Sequence, residues 1–257
     1  MILAIDVGNT NIVFGVFDET LKASWRIAAD RQKTEDEYSI IFKTLLKDQG
    51  IFLKQIKGAI ISSVVPGLTP LLEDMCEKHL SVKPMSVGPG IKTGVNIKYE
   101  NPREVGADRI ANVVAAHHKY GGPLIIVDFG TPTTFDALTA ELDYLGGAIA
   151  PGITISTEAL SRSAARLLKI EIAKPDEVIG RNTVASMQAG VFYGYVGLVE
   201  SLVQRIKTEM GGGEIFTVAT GGLAPLICSE TKGIDAIDLM LTLDGLKLIY
   251  DKNINGV

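Results

Sequence analysis

The chain has two cysteines, three histidines and one tryptophan in 257 residues, and these scarcities narrow its possible functions. Cys76 and Cys228 lie far apart, with no partners at the spacing of a metal site, so neither a zinc module nor a disulfide framework is expected. They read as ordinary buried or half-buried thiols of a reducing compartment. His117 and His118 are adjacent, and neighbouring helical residues diverge by about 100°, which makes them poor joint metal ligands. The sequence has no Gly-Lys dipeptide, which excludes a Walker A loop, and no Gly-x-Gly-x-x-Gly follows a strand-like run. Like charges form no block. With 25 basic and 30 acidic residues and a net charge of −5, no nucleic-acid-binding surface is expected. One stretch, Asn182–Val199, is uncharged for 18 residues, but it contains Thr183, Ser186, Gln188 and three glycines. It reads as a buried helix rather than a membrane span. The opening residues Met1–Asp6 carry no basic leader, so no signal peptide and a cytoplasmic location are expected.

What is present is a folded α/β pattern, 46% apolar, that begins twice. Ile2–Val7, Ile12–Phe17 and Leu21–Ala28 read as a meander of strands. Thr34 and Glu37 stand at capping-box spacing, and Tyr38, Ile41, Phe42, Leu45 and Leu46 follow helical periodicity until Gly50. A strand over Ala59–Val65 and a helix over Leu68–Leu80 come next, and Pro102 opens a helix to about Tyr120. Then the order restarts. Leu124–Val127 is apolar and ends at Asp128, and strand-like Phe135–Thr139 and Tyr144–Ile149 follow. Helices are expected near Ile153–Leu167, Asn182–Met210 and Leu243–Lys252, with a strand at Glu214–Ala219. Ala4-Ile5-Asp6-Val7-Gly8-Asn9 and Ile126-Val127-Asp128-Phe129-Gly130-Thr131 share one order of apolar, acidic and glycine positions. Two related domains, 1–120 and 121–257, follow from this restart.

Both turns suit an anion. Glycine allows positive φ and close backbone approach, and backbone N–H groups with nearby hydroxyls surround negative charge. An aspartate there would repel phosphate unless a hard cation such as Mg²⁺ lay between them. One such turn could be mere turn chemistry, but two in equivalent places favour a shared nucleotide site. Gly106-Ala107-Asp108-Arg109 places an acid and a guanidinium near a helix start. Arg109 could clamp a carboxylate and Asp108 could accept a hydroxyl proton, or the pair could be an ordinary first-turn acid and surface arginine. Gly190, Gly194 and Gly197 form a small-residue stripe suited to close packing, in the core or across a dimer.

These residues resemble the type III pantothenate kinases, within the acetate kinase/sugar kinase/Hsp70/actin superfamily, from Met1 to about Asp251. The resemblance lies in Asp6–Asn11, Tyr99–Arg109, Asp128–Thr131 and Thr220–Leu223, with Lys33–Tyr38 and Gly180–Thr183 in support. It implies two ribonuclease-H-like domains, each a mixed sheet flanked by helices, with an ATP cleft between them. Asp6, Val7, Gly8, Asn9, Thr10, Asn11, Ile12 and Val13 would form the first phosphate turn. Thr131 would touch phosphate, and Gly221 and Gly222 would lie near adenosine. Asp128 would bind the family's monovalent cation, K⁺ or NH₄⁺, and Asp6 would face Mg²⁺, through water. Tyr99, Gly106, Ala107, Arg109 and Thr183 would hold pantothenate, with Asp108 as general base, in a homodimer whose partner completes part of the pocket. The reaction implied is ATP-dependent phosphorylation of pantothenate in coenzyme A synthesis. Another small carboxylate or sugar as acceptor, or a non-catalytic nucleotide-binding regulator, are the alternatives. Pro132 departs from the family's usual alanine and removes one backbone N–H beside Thr131.

Overall fold

A computed structural model describes residues 1–163 and 170–254. In chain order the strands and helices are β1 (Ile2–Val7), β2 (Asn11–Phe17), β3 (Leu21–Ala28), α1 (Glu35–Asp48), β4 (Gly58–Ser63), α2 (Thr69–Met75), β5 (Met85–Ser86), β6 (Asn96–Ile97), α3 (Ala107–Tyr120), β7 (Leu124–Phe129), β8 (Pro132–Leu138), β9 (Asp143–Pro151), α4 (Ile153–Ser163), α5 (Thr183–Glu209), β10 (Phe216–Thr220), α6 (Ala224–Cys228), β11 (Ala236–Ile237) and α7 (Leu241–Ile254). They form two units. One comprises residues 1–95, 100–115 and 240–257, and the other 96–99 and 116–239. Contact thus divides the chain differently from a cut at residue 120, because α7 packs on β1 and β4 of the first sheet.

The first unit is a mixed sheet in the order β3-β2-β1-β4-β5, with β1 antiparallel to β2 and parallel to β4. Alternation sorts its side chains: Leu3, Ile5 and Val7 enter one core with Phe14, Tyr38, Phe42 and Leu72, while Ala4 and Asp6 take the opposite face. The capping box forms as expected, with the Glu37 amide donating to Thr34 Oγ1 and the Thr34 amide to Glu37 Oε2. The helix expected over Leu68–Leu80 is α-helical only to Met75 and then widens into a π turn over Cys76–Leu80. Tight contacts fix α7. A Cβ on Gly245 would meet the Ala111 carbonyl at 1.9 Å, so α7 and α3 touch backbone to backbone.

The second unit repeats the plan. Its order is β11-β10-β7-β8-β9-β6, with β7 antiparallel to β8 and parallel to β10. Ile125, Val127, Phe135, Phe192, Tyr195 and Val199 form its core. The restart seen in the sequence is therefore a repeated topology, and β6 is an extra edge strand.

Three expectations meet the structure differently. Pro102 opens only a short 3₁₀ turn over Pro102–Glu104, and α3 begins at Ala107, because Val105 is extended and breaks the helical run. The helix expected to Leu167 is seen to Ser163, and 164–167 lie outside the described residues. Gly190, Gly194 and Gly197 do not pack within the core: a Cβ on any of them would meet nothing among the described residues. Only one face of α5 is buried, through Met187, Phe192, Val196 and Val199. Among the described residues, no helix is long and apolar enough to cross a membrane. Burial pushes the Cys76 thiol up to about 12 and that of half-buried Cys228 up to about 11.

Candidate active site

In the first unit, Asp6 is the penultimate residue of β1. It pairs in register with Val13 on β2 and Ser62 on β4, so the three side chains share a sheet face. Gly8 closes the turn by donating its N–H to the Asn11 carbonyl at 2.9 Å, and the Thr10 carbonyl accepts the Ala29 amide at 3.0 Å. Asn9 and Thr10 are exposed at the tip. Val7 and Ile12 send fully buried side chains into the core, so only their backbone can face a ligand. Ser62 escaped the sequence reading. It is fully buried beside Asp6, and its Oγ has no hydrogen-bond partner among the described residues.

The Gly106–Arg109 segment meets the same strand ends. The Val64 amide donates to the Val7 carbonyl at 3.1 Å, and a Cβ on Gly106 would lie 3.6 Å from Val64 Cγ1. Asp108 therefore stands in the first turn of α3, beside the C-terminal edge of the β1–β4 pair, where open α/β sheets place their ligands. Its Oδ1 accepts the Arg109 backbone N–H at 2.8 Å. A Cβ on Gly106 would fall 2.4 Å from that oxygen, which is why glycine leaves the carboxylate room. Burial raises the Asp108 pKa above the ordinary carboxylate range, while the Arg109 N–H and charge pull the other way. A half-buried carboxylate raised in this manner is a better proton acceptor than an exposed one. Arg109 itself is only 7% exposed.

In the second unit, Asp128 pairs in register with Thr134 on β8 and Thr220 on β10. Gly221 has φ +92°, and a Cβ there would sit 2.7 Å from Asp128 Oδ1 and from the Phe129 backbone. The Thr220-Gly221-Gly222 motif is thus laid against the Asp128 turn, with Gly222 exposed. The Thr131 carbonyl accepts the Gly152 amide at 3.1 Å, and a Cβ on Gly152 would meet that carbonyl oxygen at 2.0 Å. Gly152 was not singled out in the sequence; aligning the ends of β3 and β9 would have found it. Pro132 is exposed at the first position of β8, where a strand tolerates a missing N–H.

The remaining expected residues divide. Tyr99 is half-buried against β9, and Thr183 is exposed at the first position of α5, behind the Asn182 cap. Thr183 lines a groove of about 810 Å³ between α4 and α5, with Ser156, Arg181, Gly190, Gly194 and Tyr195, and Tyr99 is not among its walls.

For a cation, the donor sets are hard oxygen: Asp6 with the orphaned Ser62 Oγ, and Asp128 with the buried Thr134 Oγ1, which also has no partner among the described residues. These fit Mg²⁺ or K⁺ better than a soft metal. Among the described residues, no group of three or more His, Cys, Asp or Glu could hold a metal ion. Phosphate oxygens would have to complete the coordination.

A mixed sheet laid out twice with one strand order, each copy turning at an acidic hairpin, defines the actin-like fold class. The solved structures agree. An activator of 2-hydroxyisocaproyl-CoA dehydratase from Clostridium difficile, with bound ADPNP, superposes with a TM-score of 0.57 at 13% identity, covering 99% of this chain and 97% of that one. MreB 5 of Spiroplasma citri, bound to AMPPNP, gives 0.55 at 11% identity, covering 100% and 98%. Sequence narrows the class. The family model for type III pantothenate kinase matches residues 2–205. A type III pantothenate kinase of Moorella thermoacetica is 56% identical over 254 residues, covering 98% of this chain and 100% of the relative. One of Geobacillus thermodenitrificans is 59% identical over 254 residues, covering 98% of each. The chain belongs to the type III pantothenate kinase family.

Proposed function

We propose that the protein transfers the γ-phosphoryl group of ATP to the primary hydroxyl of pantothenate, giving 4'-phosphopantothenate and ADP at the start of coenzyme A synthesis. The observation that carries this is the placement of Asp108. In a chain of this family, a carboxylate with a raised pKa stands beside the strand edge that bears the Asp6 turn. Asp108 accepts the hydroxyl proton as the pantothenate oxygen bonds to phosphorus and the bridging oxygen leaves with ADP. Arg109 is assigned to the pantothenate carboxylate, which a guanidinium can hold bidentately. Gly106 and Ala107 give close backbone approach, and Tyr99 lines the pocket.

The backbone of Asp6–Val13 holds ATP phosphates, with Thr131 on phosphate and Gly221 and Gly222 at the adenosine. Bound Mg²⁺ and K⁺ or NH₄⁺ neutralise phosphate charge, which is the main requirement of phosphoryl transfer. Asp6, with Ser62 behind it, is assigned to Mg²⁺, and Asp128, with Thr134, to the monovalent ion. The enzyme is assigned to the cytoplasm, where ATP is available.

A homodimer belongs to this reading. Exposed Leu160 lines the groove that bears Thr183, Gly190 and Gly194, and exposed Ile155, Ile179 and Val184 are next in sequence to its lining residues Ser156, Gly180 and Thr183. Apolar surface of this kind marks a protein interface. Thr183 is then supplied to the partner's pantothenate pocket.

The test is direct. Purified protein with ATP, Mg²⁺, K⁺ and pantothenate should yield phosphopantothenate and ADP in equal amounts. No product under these conditions would overturn the reading.

A further inference from the structure

Behind Tyr99 lies a polar assembly that no step above uses. Asn96–Tyr99 is strapped to β9 as a short parallel strand: the Asn96 amide donates to the Leu142 carbonyl at 3.1 Å, and the Lys98 amide to the Tyr144 carbonyl at 2.9 Å. Asn96 Nδ2 donates to Asp143 Oδ1, and Lys98 Nζ lies 3.6 Å from Asp143 Oδ2. The backbone leading to Tyr99 is therefore fixed on two levels. The Tyr99 ring then rests on two supports. Its centroid is 6.3 Å from that of Tyr144 at 44°, and Gly146 lies beneath its edge, where a Cβ would approach Tyr99 Cε2 and Cδ2 at 3.2 and 3.3 Å. Gly146 has φ +109°, a conformation only glycine adopts without strain.

Tyr144 is itself pinned. It is fully buried, and its hydroxyl donates to Asp136 Oδ1 at 2.8 Å. Asp136 is also fully buried, in the middle of β8. Burying a carboxylate costs several kcal/mol unless hydrogen bonds compensate. A core tyrosine needs no ionisable partner merely to fill space, since phenylalanine would serve. The carboxylate fixes the tilt and depth of the Tyr144 ring, and that ring is the surface on which Tyr99 sits.

We infer that Asp136, Tyr144 and Gly146 are positioning residues that set the Tyr99 ring for pantothenate and so govern acceptor affinity without touching ATP. This rests on the assignment of Tyr99 to the pantothenate pocket. The expected signature is a split between the two substrates. Tyr144→Phe keeps the ring and deletes the donor; it should raise the KM for pantothenate by about tenfold, the scale of one lost buried hydrogen bond. The KM for ATP should stay within about twofold, because the contacts named here run to Tyr99 and β9 rather than to the Asp6–Val13 turn or Gly221–Gly222. Asp136→Asn preserves an acceptor for the Tyr144 hydroxyl and should hold pantothenate KM near the wild-type value, whereas Asp136→Ala should reproduce the Tyr144→Phe defect. Gly146→Ala presses on the Tyr99 edge and should raise the pantothenate KM as well.

The experiment is steady-state kinetics of the four variants and wild type with each substrate varied in turn, alongside thermal melts. A wild-type enzyme that phosphorylates pantothenate, with Tyr144→Phe showing an unchanged pantothenate KM, would overturn the inference and leave the proposed function standing. So would a parallel rise in both KM values with a lowered melting point, which marks a structural role alone. A wild-type protein inert toward pantothenate would remove the proposed function, and this inference with it.

Discussion

The two acidic turns are built on one plan and finished differently. Around each, the acid ends a strand that pairs antiparallel with its hairpin partner and parallel with a hydroxyl-bearing neighbour: Asp6 with Val13 and Ser62, Asp128 with Thr134 and Thr220. The third strand of each meander returns an amide to the turn, from Ala29 to the Thr10 carbonyl and from Gly152 to that of Thr131. The loops differ in length and freedom. Residues 8–11 separate the last strand pair of the first turn, and 130–132 that of the second. The shorter turn is hemmed in by Gly221 and Gly152, each with backbone where a Cβ would go, while the first turn tolerates an alanine at the equivalent of Gly152. The first turn lies beside Asp108, and the second beside the Thr220–Gly222 motif. One turn plan is laid down twice, and local packing distinguishes the two copies.

The largest expected effect tests the acid beside the first turn. Asp108→Asn should lower kcat by about 10²–10⁴-fold, the range of a lost general base, while the protein remains folded. Its sign on stability is opposite. Because folding raises the Asp108 pKa, the ionised form is disfavoured in the native state, and the stability tied to its protonation is present at low pH and lost as pH rises through the folded pKa. Removing the charge should therefore raise the melting temperature at neutral pH. In the wild type, kcat/KM should fall on acidification at a pH above that expected for an ordinary carboxylate.

Exchanging the two turn acids tests whether they are equivalent. Asp6→Asn should cost about 10²–10³-fold in kcat and shift the Mg²⁺ requirement, whereas Asp128→Asn should chiefly abolish activation by K⁺ or NH₄⁺. Identical ion titrations for both variants would break the distinction between the turns. Gly152→Ala should destabilise the second unit by about 1–3 kcal/mol through overpacking against Thr131 and weaken ATP binding; Ala29→Gly should do far less. Denaturant unfolding and nucleotide titration would check this. The smallest effect belongs to Pro132→Ala. At an exposed strand start it should leave stability within about 0.5 kcal/mol and match or improve ATP affinity, because it restores an N–H beside Thr131. A clear loss of ATP affinity would show that the proline is an adaptation of the shorter turn.

Much of the fold was legible because it rests on local rules. The Thr34–Glu37 capping box, the meander of β1–β3 and a helix from about Asn182 follow from spacing and turn chemistry, and each is seen. Boundaries failed where a neighbour overrode local pattern, as at Val105, whose extended backbone delays α3 to Ala107. The short β5, β6 and β11 were illegible, since two-residue strands carry no periodicity and exist only through their partners. The site divides likewise. Asp6, Asp128 and Asp108 announce themselves through motifs, but Ser62, Gly152 and Tyr144 look like ordinary strand residues until register sets them beside those motifs.

The sequence by itself determined that the chain repeats a strand–acid–glycine unit, and it singled out Asp6, Asp108 and Asp128 as the candidates for phosphate and proton chemistry. Side-chain chemistry and short spacing are local properties. Tertiary structure decided the rest. It returned α7 to the first sheet, turned the glycine face of α5 outward, set a buried hydroxyl beside each acid and placed Tyr144 and Asp136 behind Tyr99. Those outcomes depend on strand register and on backbone approaches between segments tens to more than a hundred residues apart, which no local window of the sequence contains.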